Sequence, residues 1–194
     1  MIVCKFGGSS ISNSENIKKV KNILVNKLNN ERKIIVVFSA IGNTTDKLIE
    51  IGEMAANGDE SFHKLLEDVF SRHINIINKL FISTQKINEL VSQYFKNIKD
   101  ICLGIYYLKD FSQKNSDYLI SFGEKLSNLI IYKYLVQDIN KKINLIDSTK
   151  YIITDYNYGN AKIIESKTNY NLKSLKDDES DILIVPGFIS KSDG

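Results

Sequence analysis

The sequence has few of the residues on which disulfide scaffolds and metal sites depend. It contains two cysteines, two histidines and one proline in 194 residues. Both cysteines, Cys4 and Cys102, lie inside apolar runs, so we expect buried thiols in a reducing, cytoplasmic compartment rather than disulfide bonds. The two histidines, His63 and His73, would point about 80° apart on a helix. We therefore expect no metal site built on them.

Long apolar runs and a strong excess of one charge are also missing. No stretch of about 18 apolar residues occurs, so we expect no membrane span. The N-terminus leads directly into a predicted strand, without a signal peptide. The 26 basic and 23 acidic residues give a net charge of +3, which is too small to predict a nucleic-acid partner. The 43% hydrophobic content is that of an ordinary globular protein.

The first forty residues predict a parallel pair of strands joined by a helix. Residues 2–6 predict a short buried strand. Residues 33–38, KIIVVF, show no polar alternation, which predicts a second strand buried on both faces. Between these two strands, Ser12 and Glu15 fit a capping box that starts a helix over residues 13–29. A strand, a helix and a strand in this order indicate a βαβ unit with a right-handed crossover.

The rest of the chain is helical in its centre and returns to strands at its end. Helical spacing marks residues 48–55, 65–80, 87–108 and 116–136, and residues 171–178 predict a short helix. Further strands are predicted at 143–147, 151–154 and 182–188. This order predicts a layered α/β domain. The chain stops in a polar turn after a buried strand, so we expect the domain to be incomplete at its C-terminus.

A lysine and two glycines follow the first strand. In open α/β sheets, ligands bind beyond the carboxyl ends of the strands. Gly7 and Gly8 would let backbone N–H groups approach a phosphate closely, and Lys5 adds a full positive charge. The order of residues matches neither a P-loop nor a G-x-G-x-x-G turn. A tight turn with a solvent-exposed lysine is the alternative interpretation.

Two other segments carry polar residues that suit the same edge of the sheet. Ser39 and Thr45 follow the second strand, where hydroxyl groups either cap the next helix or donate to a carboxylate or phosphate. Gly123 lies within a predicted helix at a cost of about 1 kcal/mol relative to alanine, so we expect a close approach there. The adjacent Glu124 either binds a cationic group or is a solvated helical glutamate.

Four motifs together resemble those of aspartate kinases. They are KFGGSSI at 5–11, VVFSAIGNTTDKL at 36–48, SFGEKLSN at 121–128 and IVPGFIS at 184–190. The resemblance covers almost the whole chain. It implies the amino-acid kinase (carbamate kinase-like) fold, an αβα sandwich around a mainly parallel sheet. It also implies that residues 1–194 are the N-terminal, substrate-binding part, without the nucleotide-binding part or any regulatory domain.

The resemblance also implies the chemistry. The reaction would transfer the γ-phosphate of ATP, with Mg²⁺, to the side chain of L-aspartate, giving 4-phospho-L-aspartate for lysine, threonine and methionine synthesis. Lys5 resembles the lysine that bridges the transferring group, and Glu124 resembles the carboxylate that receives the α-ammonium group of the substrate. The remaining positions resemble phosphate contacts at Phe6, Gly7, Gly8, Ser9 and Ser39, and substrate contacts at Thr45 and Asn160.

One position departs from the family pattern, and several alternatives stay open. Asn160 stands where many members carry an arginine that grips the α-carboxylate of the substrate, so only a neutral hydrogen bond is available there. The alternatives are another enzyme of this fold, such as glutamate 5-kinase or acetylglutamate kinase, and an inactive substrate-binding remnant. The resemblance implies a homo-oligomer, with a fused homoserine dehydrogenase as one arrangement, and we expect residues 1–194 alone to be inactive.

Overall fold

The computed structural model describes residues 1–193 as a parallel sheet packed against long helices. The strands are β1 (Ile2–Phe6), β2 (Ile34–Phe38), β3 (Ile143–Leu145), β4 (Ile153–Thr154), β5 (Ile182–Pro186) and β6 (Lys191–Ser192). The α-helices are α1 (Ser14–Leu28), α2 (Thr44–Ala56), α3 (Phe62–Leu80), α4 (Gln85–Leu108), α5 (Gln113–Asp138) and α6 (Glu165–Leu172). The predicted α/β class with a mainly parallel sheet is confirmed.

The main sheet has the strand order β1-β2-β5-β3, and all its neighbouring strands are parallel. Phe6 lies opposite Phe38, and Phe38 lies opposite Pro186. Three neighbouring strands therefore end at the same level. The predicted βαβ unit is confirmed as β1-α1-β2, and β5 lies inside the sheet as its apolar sequence predicts.

One face of the sheet carries the core. Side chains of this face, among them Val36, Phe38 and Ile184, are fully buried and pack with the apolar sides of the helices. Residues of the opposite face are outside this cluster, and Val3 is 62% exposed. The prediction that β2 is buried on both faces is therefore wrong, because Ile35 and Val37 on the second face are only half-buried.

The start of α1 differs from the predicted capping box. Asn13 is the N-cap, and its side chain accepts a 2.9 Å hydrogen bond from the backbone N–H of Asn16. Ser12 instead ends a 3₁₀ turn over Gly8–Ile11, and its hydroxyl accepts a bond from the Asn16 side chain. Glu15 forms an exposed ion pair with Lys18. The capping box is wrong because the 3₁₀ turn delays the helix.

The C-terminal part contains elements that the sequence pattern missed. The strand predicted at 151–154 is reduced to Ile153–Thr154, and it pairs with β6 in a separate two-stranded sheet. Helix α6 lacks a strong apolar stripe and was not predicted. The short helix predicted at 171–178 is a 3₁₀ turn over Lys173–Asp177. Among residues 1–193, no helix has the length and apolar character needed to cross a membrane.

Candidate functional site

The predicted site residues after β1 and β2 meet where these two strands end. The N–H of Ser39 donates to the carbonyl of Phe6 (3.2 Å), and the N–H of Gly42 donates to the carbonyl of Gly8 (3.0 Å). A methyl group on Gly8 would overlap the Gly42 carbonyl oxygen. Glycine is therefore required at position 8 because the two loops touch through their backbones.

Gly7 and Lys5 present the opposite situation, since both face open space. A methyl group on Gly7 would have no atom within 4 Å, so a ligand can approach the backbone of this loop. Lys5 is exposed, and its Nζ lies 5.7 Å from the centre of the Phe188 ring. Phe188 has a positive φ of 54° and is 88% exposed. The lysine is thus held near the turn after β5 by a cation–π contact, with its charge accessible to an anion.

Glu124 reaches the same edge from α5. It is only 4% exposed, and its Oε1 accepts a 3.3 Å hydrogen bond from the N–H of Ala40. The close approach expected at Gly123 is confirmed, because a Cβ at this position would lie 3.0 Å from the Cβ of Ala40. The glycine therefore lets α5 sit against the loop after β2 and brings the adjacent carboxylate into the site.

Within residues 1–193, the Glu124 carboxylate takes part in no ion pair. Among residues 1–193, no lysine, arginine or N-terminal nitrogen lies within 4.0 Å of its carboxylate. Burial raises the pKa of Glu124 to about 7, and the hydrogen bond from Ala40 only partly opposes this shift. A buried carboxylate with an incomplete set of partners is suited to bind a cationic group. The interpretation of Glu124 as a solvated glutamate is therefore wrong.

Asn128 was not predicted as a site residue, although it lies one turn after Glu124. Its side-chain N–H₂ group donates to the Glu124 carbonyl (2.8 Å) and to the Phe38 carbonyl (3.3 Å). The Phe38 carbonyl also accepts from the N–H of Gly187 (3.0 Å). Asn128 thus joins α5 to the ends of β2 and β5. The i, i+4 spacing from Glu124 is the sequence signal that could have identified it.

The two other predicted substrate residues, Thr45 and Asn160, occupy different environments. Thr45 is half-buried in the first turn of α2, while the adjacent Thr44 is buried and donates its hydroxyl to the Ile41 carbonyl (2.6 Å). Asn160 lies in an exposed turn, and its hydrogen bonds within the described residues go to Asn157. This turn is tied to α5 by a 2.7 Å bond between the Gly159 N–H and Asp117. The structure groups Thr45 with the loops and leaves Asn160 apart.

Other features of the described chain do not contribute to this cluster. A cleft of about 450 Å³ lies between α6 and β6, and it is lined by none of the predicted site residues. Within residues 1–193, no group of three or more histidine, cysteine or acidic side chains is arranged to hold a metal ion. Cys102 is buried, and burial raises the pKa of its thiol to about 12, which makes it unreactive.

The chain is similar to aspartokinases in sequence. It is 32% identical to Aspartokinase 1, chloroplastic, of Arabidopsis thaliana, over 97% of this chain and 33% of the relative. It is 29% identical to the bifunctional aspartokinase/homoserine dehydrogenase of Buchnera aphidicola, over 98% of this chain and 24% of the relative. The chain therefore spans about a third or less of the length of these relatives.

Solved structures agree with this similarity. The chain superposes on E. coli aspartokinase III in complex with lysine and aspartate with a TM-score of 0.86 at 22% identity, over 100% of this chain and 42% of the other. For the aspartate kinase of Clostridium acetobutylicum, the TM-score is 0.75 at 26% identity, over 100% and 40%. The model of the Amino acid kinase family matches residues 1–194. The motifs, the fold and these matches together establish that the chain belongs to the amino acid kinase family.

Proposed function

We propose that the chain is the substrate-binding part of an aspartate kinase. The observation that carries this proposal is Glu124, a buried carboxylate without a cationic partner among residues 1–193, at the edge where the glycine loop and the loop after β2 meet. Aspartate brings one ammonium and two carboxylate groups. Glu124 suits the ammonium group, and the neighbouring donors suit the anions.

The remaining predicted residues have roles that fit phosphoryl transfer from ATP. The charge of Lys5 and the backbone around Phe6, Gly7, Gly8 and Ser9 would hold phosphate oxygens, with Ser39 beside them. Thr45 would contact the substrate, as would Asn160 after a movement of its turn. Mg²⁺ bound with ATP would neutralise part of the phosphate charge. The acceptor is already a carboxylate, so the residues need to position it and stabilise charge, and no general base is required.

Several properties of the whole protein follow from this proposal. The similarity to a bifunctional enzyme and to plant and bacterial aspartokinases supports a place at the start of lysine, threonine and methionine synthesis. We further propose a cytoplasmic homo-oligomer, either alone or fused to homoserine dehydrogenase. The nucleotide-binding part would correspond to the regions of the relatives that this chain does not cover.

The proposal can be tested by the choice of ligand. Calorimetric titration of the chain should detect binding of L-aspartate and at least tenfold weaker binding of N-acetyl-L-aspartate, because acetylation removes the positive charge that Glu124 would pair with. L-Glutamate serves as the matched control, since it keeps the ammonium group and adds one methylene. Equal affinity for aspartate and its N-acetyl derivative would contradict the proposal, and tighter binding of glutamate would favour a glutamate kinase.

A further inference from the structure

Arg72, on α3, contacts both loops of the candidate site. Its Nη1 donates to the side-chain oxygen of Asn43 (2.5 Å), and its Nη2 donates to the backbone carbonyl of Ser12 (3.2 Å). Ser12 follows the 3₁₀ turn that comes after Gly7, and Asn43 ends the loop after β2. A single planar guanidinium group therefore connects the two loops.

The Asn43 side chain does not cap the helix that it precedes. Asn43 is the N-cap of α2, but its side chain makes no capping hydrogen bond to that helix. Asparagine at this position commonly stabilises a helix by about 1 kcal/mol through such a bond. Here the side-chain oxygen accepts from Arg72 instead, so a local interaction is replaced by one that joins α3 to the loop.

Gly42 leaves the space that the guanidinium group occupies. It has a positive φ of 58°, and a methyl group there would overlap Nη2 of Arg72. On its other side, the N–H of Gly42 donates to the Gly8 carbonyl (3.0 Å). Gly42 therefore contacts the guanidinium group of Arg72 on one side and Gly8 on the other. A movement of the guanidinium group would shift Gly42 and, through its hydrogen bond, the glycine loop.

The turn after Gly7 is also held by a side chain of α1. The side-chain N–H₂ group of Asn16, on α1, donates to the Ser9 carbonyl (3.1 Å) and to the Ser12 hydroxyl (3.1 Å). Asn16 and Arg72 therefore fix this turn from two helices. Of the two, only Arg72 also contacts the loop after β2.

The choice of arginine is notable in a lysine-rich chain. Only two of its 26 basic residues are arginines, Arg32 and Arg72. A guanidinium group presents donors in a rigid planar fork, whereas a lysine ammonium group is a compact point charge. Two acceptors on different loops require the fork. Arg32 is exposed and precedes β2, so it provides a matched control.

We propose that Arg72 is a positioning residue, which fixes the loop after β1 and the loop after β2 relative to each other so that both face one ligand. It acts through Gly42, Asn43 and Ser12 and does not touch the ligand itself. The consequence for binding rests on the proposed aspartate kinase function. The effect on the loops does not depend on that function.

The loop effect can be measured by amide hydrogen exchange in the chain labelled with ¹⁵N-glycine. Arg72→Gln should accelerate exchange at Gly42 by at least about tenfold and leave Gly104, in α4, unchanged. Arg72→Lys should not restore protection, since one ammonium group cannot span both acceptors. Arg32→Gln should change neither glycine. Unchanged exchange at Gly42, equal acceleration at both glycines, or full rescue by lysine would overturn the proposal.

Two additional measurements keep the test decisive. Asn43→Ala removes the acceptor instead of the donor, and it should give the same local acceleration if Arg72→Gln proves too unstable to study. Calorimetry on the same samples should show aspartate affinity about tenfold weaker in Arg72→Gln and unchanged in Arg32→Gln. If the loops loosen and affinity stays the same, Arg72 does not position the site. If the unsubstituted chain binds no aspartate, the proposed function fails, and the exchange result still decides the role of Arg72 in the loops.

Discussion

Replacing Glu124 with glutamine should weaken aspartate binding and abolish its dependence on pH near neutrality. Burial raises the pKa of Glu124 to about 7, and only the ionised carboxylate attracts an ammonium group. The ionised fraction rises from roughly 10% at pH 6 to roughly 90% at pH 8, so aspartate affinity should rise about tenfold over this range. Glutamine cannot ionise, and Glu124→Gln should lose about 1.5–3 kcal/mol of binding free energy at pH 8.

The same substitution should stabilise the folded chain. The pKa of Glu124 is higher in the folded protein than its ordinary value of 4.5. Folding is therefore favoured while the group is protonated, and this contribution is lost as the pH rises from about 4.5 to 7. Above pH 7 the folded state carries a buried ionised carboxylate, whose removal should raise the free energy of unfolding by about 1–3 kcal/mol. Side chains that serve function commonly lower the stability of a folded protein in this way.

Two measurements on the same samples test both parts. Calorimetry at pH 6, 7 and 8, in buffers of different ionisation enthalpy, reports affinity and the protons released on binding. Urea denaturation at pH 8 reports the free energy of unfolding. Glu53→Gln, on an exposed position of α2, is the matched control and should change neither. A Glu124→Gln protein that is less stable and still binds aspartate with unchanged affinity would refute the reasoning.

Three further predictions concern Lys5, Gly8 and His73. In a form of the protein that shows kinase turnover, Lys5→Ala should reduce kcat on the order of 10²-fold. The thermal midpoint should stay nearly unchanged because Lys5 is exposed. Turnover within a few-fold of the parent would contradict a role of Lys5 in phosphoryl transfer. Gly8→Ala should lower the free energy of unfolding in urea by about 1–3 kcal/mol, since its methyl group would overlap the Gly42 carbonyl, whereas Gly7→Ala faces open space and serves as the control. Burial lowers the pKa of His73 from 6.5 to about 4, so the stability contributed by its neutral form should be lost as the pH falls from 6.5 towards 4. In denaturation measured at several pH values, His73→Phe should reduce this loss of stability at acid pH. An unchanged slope of stability against pH would show that another group causes the loss.

The sequence indicated which loops and which helix meet at the candidate site, but not the environment of their side chains. Gly123 indicated a close approach because glycine is unfavourable inside a helix, and the contact with Ala40 confirms it. The burial of Glu124 depends on how α5 packs against a loop some 80 residues earlier in the chain. No local sequence pattern predicts a contact between residues so far apart. The same limit applies to Arg72, whose partners Ser12 and Asn43 lie on two other segments.

The errors in the fold have similar physical causes. Ser12 matched a capping box by spacing, but a 3₁₀ turn uses this residue and leaves Asn13 as the cap. Strand β6 has two residues and forms only by pairing with β4, so it carries no periodic signal. The long helices α3, α4 and α5 were predicted well because their apolar spacing extends over many turns.

The position of β5 has a consequence for how the chain folds. β1 and β2 pair across a single helix, but β2 must also pair with β5, and Ile34 lies opposite Ile182. About 150 residues separate these partners, so closing this contact costs considerable chain entropy before the pairing is gained. We expect the β1-α1-β2 unit and the helices to form first, with insertion of β5 between β2 and β3 as the slow step. During synthesis, the sheet cannot be completed until nearly all of these residues have left the ribosome.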